Sequence, residues 1–188
     1  MEYQYLIVEE SDGIATVRLN RTDARNALSI AHMKELIAVA NRYRTAPHIR
    51  AIIVTGSDRY FSAGADLSER GPKTETLLEK RERVLAGPDM CRAWAEVEPI
   101  TIAAIEGYCL GGGVALVASC DFRVVGESAT LRLPEVPLGI NMSWRSIPRL
   151  TALMGPSRAK QFVLFGEPVD AKTGLEWGLV DEVVANGD

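Results

Sequence analysis

A chain of 188 residues with 47% hydrophobic and 24% charged residues has enough apolar side chains for a real core and the charge content of a soluble globular protein. The formal net charge of −4, with no basic stripe interleaved with aromatics, argues against nucleic acid as a partner. The uncharged stretch from Gly107 to Cys120 is shorter than the roughly 20 residues of a membrane helix, and no basic region followed by an apolar run opens the chain, so neither a membrane segment nor an export signal is expected.

Residues 4–9 and 14–19 are expected to form a hairpin, with Ser11-Asp12-Gly13 as its turn. After a polar loop, Ser29 is a helix N-cap, and Ile30, Met33, Leu36, Ile37 and Ala40 fall on one helical face. Residues 49–55 read as a buried strand ended by Gly56-Ser57-Asp58, followed by the loop Phe61 to Leu67. A charged helix is expected over 73–96. There Lys80-Arg81 and Arg83 alternate with Glu79 and Glu82 as on a solvated face, and Gly87-Pro88 is a candidate break. Residues 100–105 form a short apolar strand leading into Gly107 to Gly113 and a helix of small residues. Residues 121–125 form another strand, Pro134-Glu135-Val136-Pro137 a braced loop, and 144–154 and 157–165 two helices.

Strands and helices alternate, so the fold class is α/β, and no linker rich in Pro, Gly and Ser divides residues 1–188, which are expected to form a single domain. Cys91, Cys109 and Cys120 form no CxxC pair. Cys109 and Cys120 lie in apolar runs, as reduced buried thiols do, and an odd count without an export signal fits a cytoplasmic location.

Two glycine-bearing turns carry the chemistry: Ala63-Gly64-Ala65-Asp66 after the strand at 49–55, and Gly111-Gly112-Gly113 after the strand at 100–105. At a strand-to-helix turn the first N–H groups of the helix lack internal partners, the helix dipole adds positive potential, and glycine lets a ligand come close. Either turn alone reads as structure. Two that converge hold one oxygen with two donors, which suits a carbonyl that gains negative charge during a reaction. Neither turn is a P-loop or a dinucleotide fingerprint, and no GxSxG elbow supports a serine hydrolase.

Taken in order, Asn20-Arg21 with Asn26-Ala27-Leu28, Phe61 to Leu67, Gly107 to Gly113 with Cys120-Asp121, Pro134 to Gly139, Gly155-Pro156 and Glu176 to Asp181 resemble the enoyl-CoA hydratase/isomerase (crotonase) superfamily over essentially the whole chain. The resemblance implies a crotonase-like (ClpP/crotonase) fold of repeated ββα units and an enzyme that stabilises the enolate of an acyl-CoA thioester. It assigns an oxyanion hole to the backbone N–H groups of Ala65 and Gly112, and the path of coenzyme A to Ala24, Arg25, Ala63, Asp66 and Leu67. Glu135 matches a catalytic glutamate. A carboxylate braced by prolines and partly desolvated has its pKa raised toward an acid/base range. Coenzyme A enters as part of the substrate, so no separate cofactor and no metal is implied. A homo-oligomer, trimer or hexamer, is implied too. Family members continue into a helical C-terminal segment, which a chain ending at Asp188 is expected to lack.

The chain departs from the hydratase pattern at Ala115, where the family's hydratases carry a second glutamate. Two carboxylates grip and polarise the added water, and alanine does neither. A single carboxylate suits double-bond isomerisation, with weak hydration, hydrolysis or decarboxylation as related reactions. A non-catalytic acyl-CoA-binding or assembly subunit is the alternative outside catalysis. In place of the hydratases' glycine-rich stretch stand Ile140-Asn141-Met142-Ser143-Trp144-Arg145. Trp144 and Met142 are candidates for the acyl pocket and Asn141, Ser143 and Arg145 for polar contacts, while plain core is the other reading of Trp144. His32 and His48 stand away from the motif loops in sequence, which argues against histidine-dependent chemistry.

Overall fold

The alternating start of the chain becomes a hairpin. In the computed structural model, which describes residues 3–69 and 74–187, β1 (Leu6–Ser11) pairs antiparallel with β2 (Ile14–Leu19). The turn is Asp12-Gly13 alone, at φ 52° and 80°, the two-residue geometry whose twist matches the strands it joins, and Ser11 belongs to β1. Ala15, Val17 and Leu19 point inward from β2. α1 (Ile30–Tyr43) starts where the Ser29 hydroxyl accepts a hydrogen bond from the His32 N–H, and it buries Met33, Leu36, Val39, Ala40 and Tyr43.

The same plan then recurs. β3 (Ala51–Thr55), β4 (Tyr60–Ser62) and α2 (Leu77–Ala95) form a second ββα unit. β5 (Ile100–Ile105), β6 (Tyr108–Leu110) and α3 (Gly112–Val117) form a third. β7 (Phe122–Gly126), β8 (Thr130–Arg132) and α4 (Ser146–Phe165) form a fourth, and β9 (Val169–Asp170), α5 (Ala171–Trp177) and β10 (Glu182–Val184) follow. From the second unit on, the first strand enters a six-stranded sheet, order β1-β2-β3-β5-β7-β10, parallel except for the hairpin. The second strands build a smaller sheet, order β4-β6-β8-β9, parallel except for β8–β9. Trp94, Tyr43, Phe61, Phe162, Ile52 and Leu116 are among the largest side chains in the core.

Two expectations about helices meet different fates. Gly87-Pro88 does not break α2, which runs through both residues. Ala86, Gly87, Pro88, Met90, Cys91 and Trp94 are all buried, so packing offsets the roughly 3 kcal/mol that an interior proline costs. Only the first half of α2 is the solvated charged helix read from the sequence. It starts with a capping box, Thr76 with Glu79, and the expected start at residue 73 lies outside the described residues. α4, by contrast, has its joint where the two expected helices meet, at Gly155 (φ 75°, ψ 164°) before Pro156.

The three cysteines are free and buried, and burial pushes the thiols of Cys91 and Cys120 up to about 12, which keeps them protonated at neutral pH. Arg123, almost fully buried in β7, ties the last strand to the sheet. Its guanidinium pairs with Asp181 at 2.6 Å and donates to the Cys120 carbonyl at 3.0 Å, and its N–H donates to the same Asp181 carboxylate at 2.7 Å.

Candidate active site

β4, β6 and β8 are neighbouring parallel strands, with Tyr60 opposite Tyr108 and Tyr108 opposite Thr130. Parallel strands end on the same side, so the segments leaving them emerge next to one another. Those segments are Ala63–Ala65 after β4, Gly111–Gly112 after β6 and Leu133–Glu135 after β8. The Gly111 N–H donates to the Arg132 carbonyl at 2.9 Å, which carries the β6–β8 ladder up to the turn.

The first turn does not open an α-helix, contrary to the strand-to-helix reading. Leu67–Glu69 is a single 3-10 turn and α2 begins only at Leu77. Pairing, not a helix dipole, orients the Ala65 N–H. Ala65 forms a parallel bridge with Leu28: the Leu28 N–H donates to the Gly64 carbonyl at 2.8 Å, and the Leu28 carbonyl accepts from the Asp66 N–H at 3.1 Å. The flanking residues make both bonds, so Ala65's own N–H faces the other way, and no acceptor among the described residues takes it.

A buried polar network holds that turn. The Ser62 hydroxyl donates to the Asn26 carbonyl at 2.8 Å and accepts the Gly64 N–H at 3.1 Å. Asn26, buried at φ 53°, accepts the Arg21 N–H at 2.9 Å and donates to the Tyr60 carbonyl at 3.1 Å. One nitrogen of the Arg21 guanidinium spans the Ala27 carbonyl at 3.0 Å and the Asp66 carboxylate at 2.6 Å. The Ala63 N–H donates to the Arg25 carbonyl at 3.0 Å. Ala24, Arg25, Ala63, Asp66 and Leu67 therefore sit on one stitched unit beside Ala65, with Arg25 and Leu67 exposed. The Asp66 carboxyl is held below its ordinary range by the Ser68 hydroxyl first and by Arg21 next, with partial burial opposing both. Contrary to the expectation that it stands away from the motif loops, His32 lies five residues after Ala27 of the Asn26-Ala27-Leu28 motif, and its Nδ1 faces the Ala27 carbonyl at 3.4 Å.

At the second turn Gly111 (φ 50°) caps α3 and Gly112 is the first helical residue, its N–H also without an acceptor among the described residues. The two turns touch at Gly64 (φ 86°), where a Cβ would stand 2.8 Å from the Leu110 carbonyl oxygen and 3.2 Å from the Gly112 nitrogen. Glu135 lies against the neighbouring Gly111, its Oε1 only 2.7 Å from where a Gly111 side chain would begin. Its side chain is nearly buried and its Oε2 has no hydrogen-bond partner. Desolvation holds its carboxyl above the ordinary 4.5, and a backbone hydrogen bond opposes the shift. Ala115 follows one helical turn after Gly111, to whose carbonyl its N–H donates at 3.1 Å, and it is fully buried. α3 (GGVALV up to Val117) brings no second carboxylate.

Trp144 packs across this region. A Cβ on Gly87 of α2 would fall 2.1 Å from its Cε2, and one on Gly112 would fall 2.3 Å from its Cζ3. A cavity of about 200 Å³ adjoins it, lined among others by Leu28, Met33, Ala65, Asp66 and Val84, with Ser143. Met142 and Asn141 face elsewhere, into an apolar cavity of about 450 Å³ against α4, so the structure separates them from Trp144. Arg145 is exposed at φ 59° and heads α4. The roles of Ser62 and Gly87 escaped the sequence reading. A serine two residues before a glycine hints at a local hydroxyl–N–H bond, but a Gly-Pro pair inside a helix signals a break, not a contact.

Two backbone N–H groups without an acceptor among the described residues and a desolvated carboxylate are carried on the segments that leave three adjacent strands. Residues 9–188 match the enoyl-CoA hydratase/isomerase family, and the chain belongs to it. It is 35% identical over 185 residues to the short-chain-enoyl-CoA hydratase of Clostridium acetobutylicum, covering 98% of this chain and 70% of that protein. It is 34% identical over 185 residues to the crotonyl-CoA hydratase of Syntrophomonas wolfei, with the same coverage. The solved enoyl-CoA hydratase of Bacillus anthracis superposes with a TM-score of 0.90 at 34% identity, covering 97% of this chain and 70% of that one. The α/β fold of repeated ββα units is the crotonase fold.

Proposed function

We propose that the protein acts on an enoyl-CoA thioester through its enolate, with Glu135 as the acid/base and the N–H groups of Ala65 and Gly112 as the oxyanion hole. The carrying observation is the meeting of those three groups at the ends of β4, β6 and β8. Family membership and the hydratase relatives support an acyl-CoA substrate and hydratase-like activity. Coenzyme A lies along Ala24, Arg25, Ala63, Asp66 and Leu67 in this reading. The Glu135 carboxylate takes the proton on the carbon α to the thioester of a 3-enoyl-CoA, and the electron pair of the broken C–H bond is delocalised onto the thioester oxygen. Each N–H then stabilises the charge by roughly 3–4 kcal/mol. The Glu135 carboxylic acid returns the proton at the other end of the dienolate, which shifts the double bond. This isomerase step is favoured over hydration because Ala115 leaves Glu135 without a partner to polarise water. The chemistry calls on no separate cofactor or metal.

Incubating the protein with crotonyl-CoA and with a 3-enoyl-CoA in D₂O, followed by mass spectrometry, tests the reading. Deuterium uptake with bond migration and no gain of water is expected, and Glu135→Gln should abolish it. Gain of water at a comparable rate would make the protein a hydratase despite Ala115. No change in either ester, with tight binding of both, would leave an acyl-CoA-binding subunit.

Residues 1–188 work as one crotonase-like domain in this proposal. Family membership supports a homo-oligomer, trimer or hexamer, which a monomer in light scattering would overturn. A cytoplasmic location is supported by three reduced, buried thiols. Among the described residues no helix is long and apolar enough to cross a membrane.

A further inference from the structure

Gly87 and Gly112 face one another across a slot, and the nearest atoms to either missing side chain all belong to Trp144. The benzene edge of the indole lies on Gly112 and its inner edge on Gly87, so the ring is wedged against α2 and the start of α3 alike. The cavity it leaves beside Ala65, about 200 Å³, is below the 300–1,000 Å³ typical of ligand pockets. The larger apolar cavity of about 450 Å³ lies beyond the same segment, reached by Asn141 and Met142 but not by Trp144. An acyl chain leaving a carbonyl held at Gly112 toward α2 meets the indole at once.

We propose that Trp144 sets the acyl length, closing the slot between Gly87 and Gly112 so that the site takes short acyl groups of crotonyl size. The inference rests on the enoyl-CoA reading of the site. It does not depend on which proton transfer or hydration follows. Removing the indole frees the space it takes up against the backbone of Gly87 and Gly112, and each methylene that enters it adds affinity.

The test pairs two series. Calorimetry with butanoyl-, hexanoyl-, octanoyl- and decanoyl-CoA reads binding, and turnover of the matching enoyl-CoAs reads chemistry, for the wild type, Trp144→Phe and Trp144→Ala. The wild type is expected to gain nothing in affinity beyond butanoyl-CoA. Trp144→Ala should bind decanoyl-CoA about tenfold more tightly than the wild type does, with Trp144→Phe in between, which covers the case of an alanine variant that does not fold. A wild type that binds decanoyl-CoA more tightly than butanoyl-CoA, or variants with an unchanged length profile, would overturn the inference and leave the enoyl-CoA reading standing. The expected binding profile without turnover of any ester would overturn the proposed chemistry and leave the role of Trp144 intact. Failure to bind every ester would overturn both.

Discussion

Burial of Glu135, the proposed base, also sets how the protein responds to pH. Its native pKa is raised, chiefly by desolvation, so the fold favours the neutral acid. Its contribution to stability is fully present below the unfolded carboxylate value, near 4.5, and is lost as pH rises through the higher native value. Glu135→Gln keeps the shape and removes the titration. It should therefore unfold at higher denaturant concentration than the wild type at neutral pH, with the gap closing in acid, while turnover disappears. Urea titrations across that range check the sign, and an equal gap at every pH would refute it. Turnover by the wild type should rise with pH along a limb that lies above 4.5, because the base works ionised. Glu135, Ala65 and Gly112 became candidates in the sequence only through the ordered set of motifs, and the structure carries them on segments leaving adjacent strands. A lone glutamate between prolines carries no sign that it will be desolvated. The partnership of Trp144 with Gly87 was illegible, since nothing local links residues in a helix and a distant loop.

Elements long enough to show a period were read to within a few residues: the hairpin, α1, β5, and the two halves of α4 meeting at Gly155. The second strands of the later units were not. β4, β6 and β8 have three residues each, too few for an alternating pattern, and they run into glycines or a polar turn. Those unread strands align the site, which is why a helix was wrongly expected at the first turn. Gly64 tests how closely the two turns must approach. Its φ of 86° and the contacts a Cβ would make predict that Gly64→Ala costs about 1–3 kcal/mol. Turnover should fall further than the affinity for coenzyme A esters, because the crowded atoms are the Leu110 carbonyl and, next, the Gly112 nitrogen at the second turn. Thermal melts with calorimetry and kinetics separate the two effects, and an alanine variant with wild-type turnover would show that the turns have slack.

No local motif spells out the strand order of either sheet, and the family resemblance implied the repeated ββα units without an order. Within the six-stranded sheet, β10 is held to β7 through Arg123, whose nearly buried charge depends on the half-exposed Asp181. Asp181→Asn leaves that guanidinium with carbonyl partners but no counter-charge. The expected loss is roughly 2–3 kcal/mol of stability, read by denaturant unfolding, with little change in the length profile of bound esters. A neutral result would mean the carbonyls of Cys120 and Asp121 satisfy the cation by themselves. The stitched unit formed by residues 20–28 and 60–66 reaches beyond stability, into how such chains can be recombined. Arg21, Asn26 and Ser62 each bind across the two segments as well as within their own. A chimera that imports one segment from a relative and keeps the other inherits mismatched partners at the very turn that carries Ala65. Productive crossovers should therefore fall outside that span, so that its two halves are inherited together.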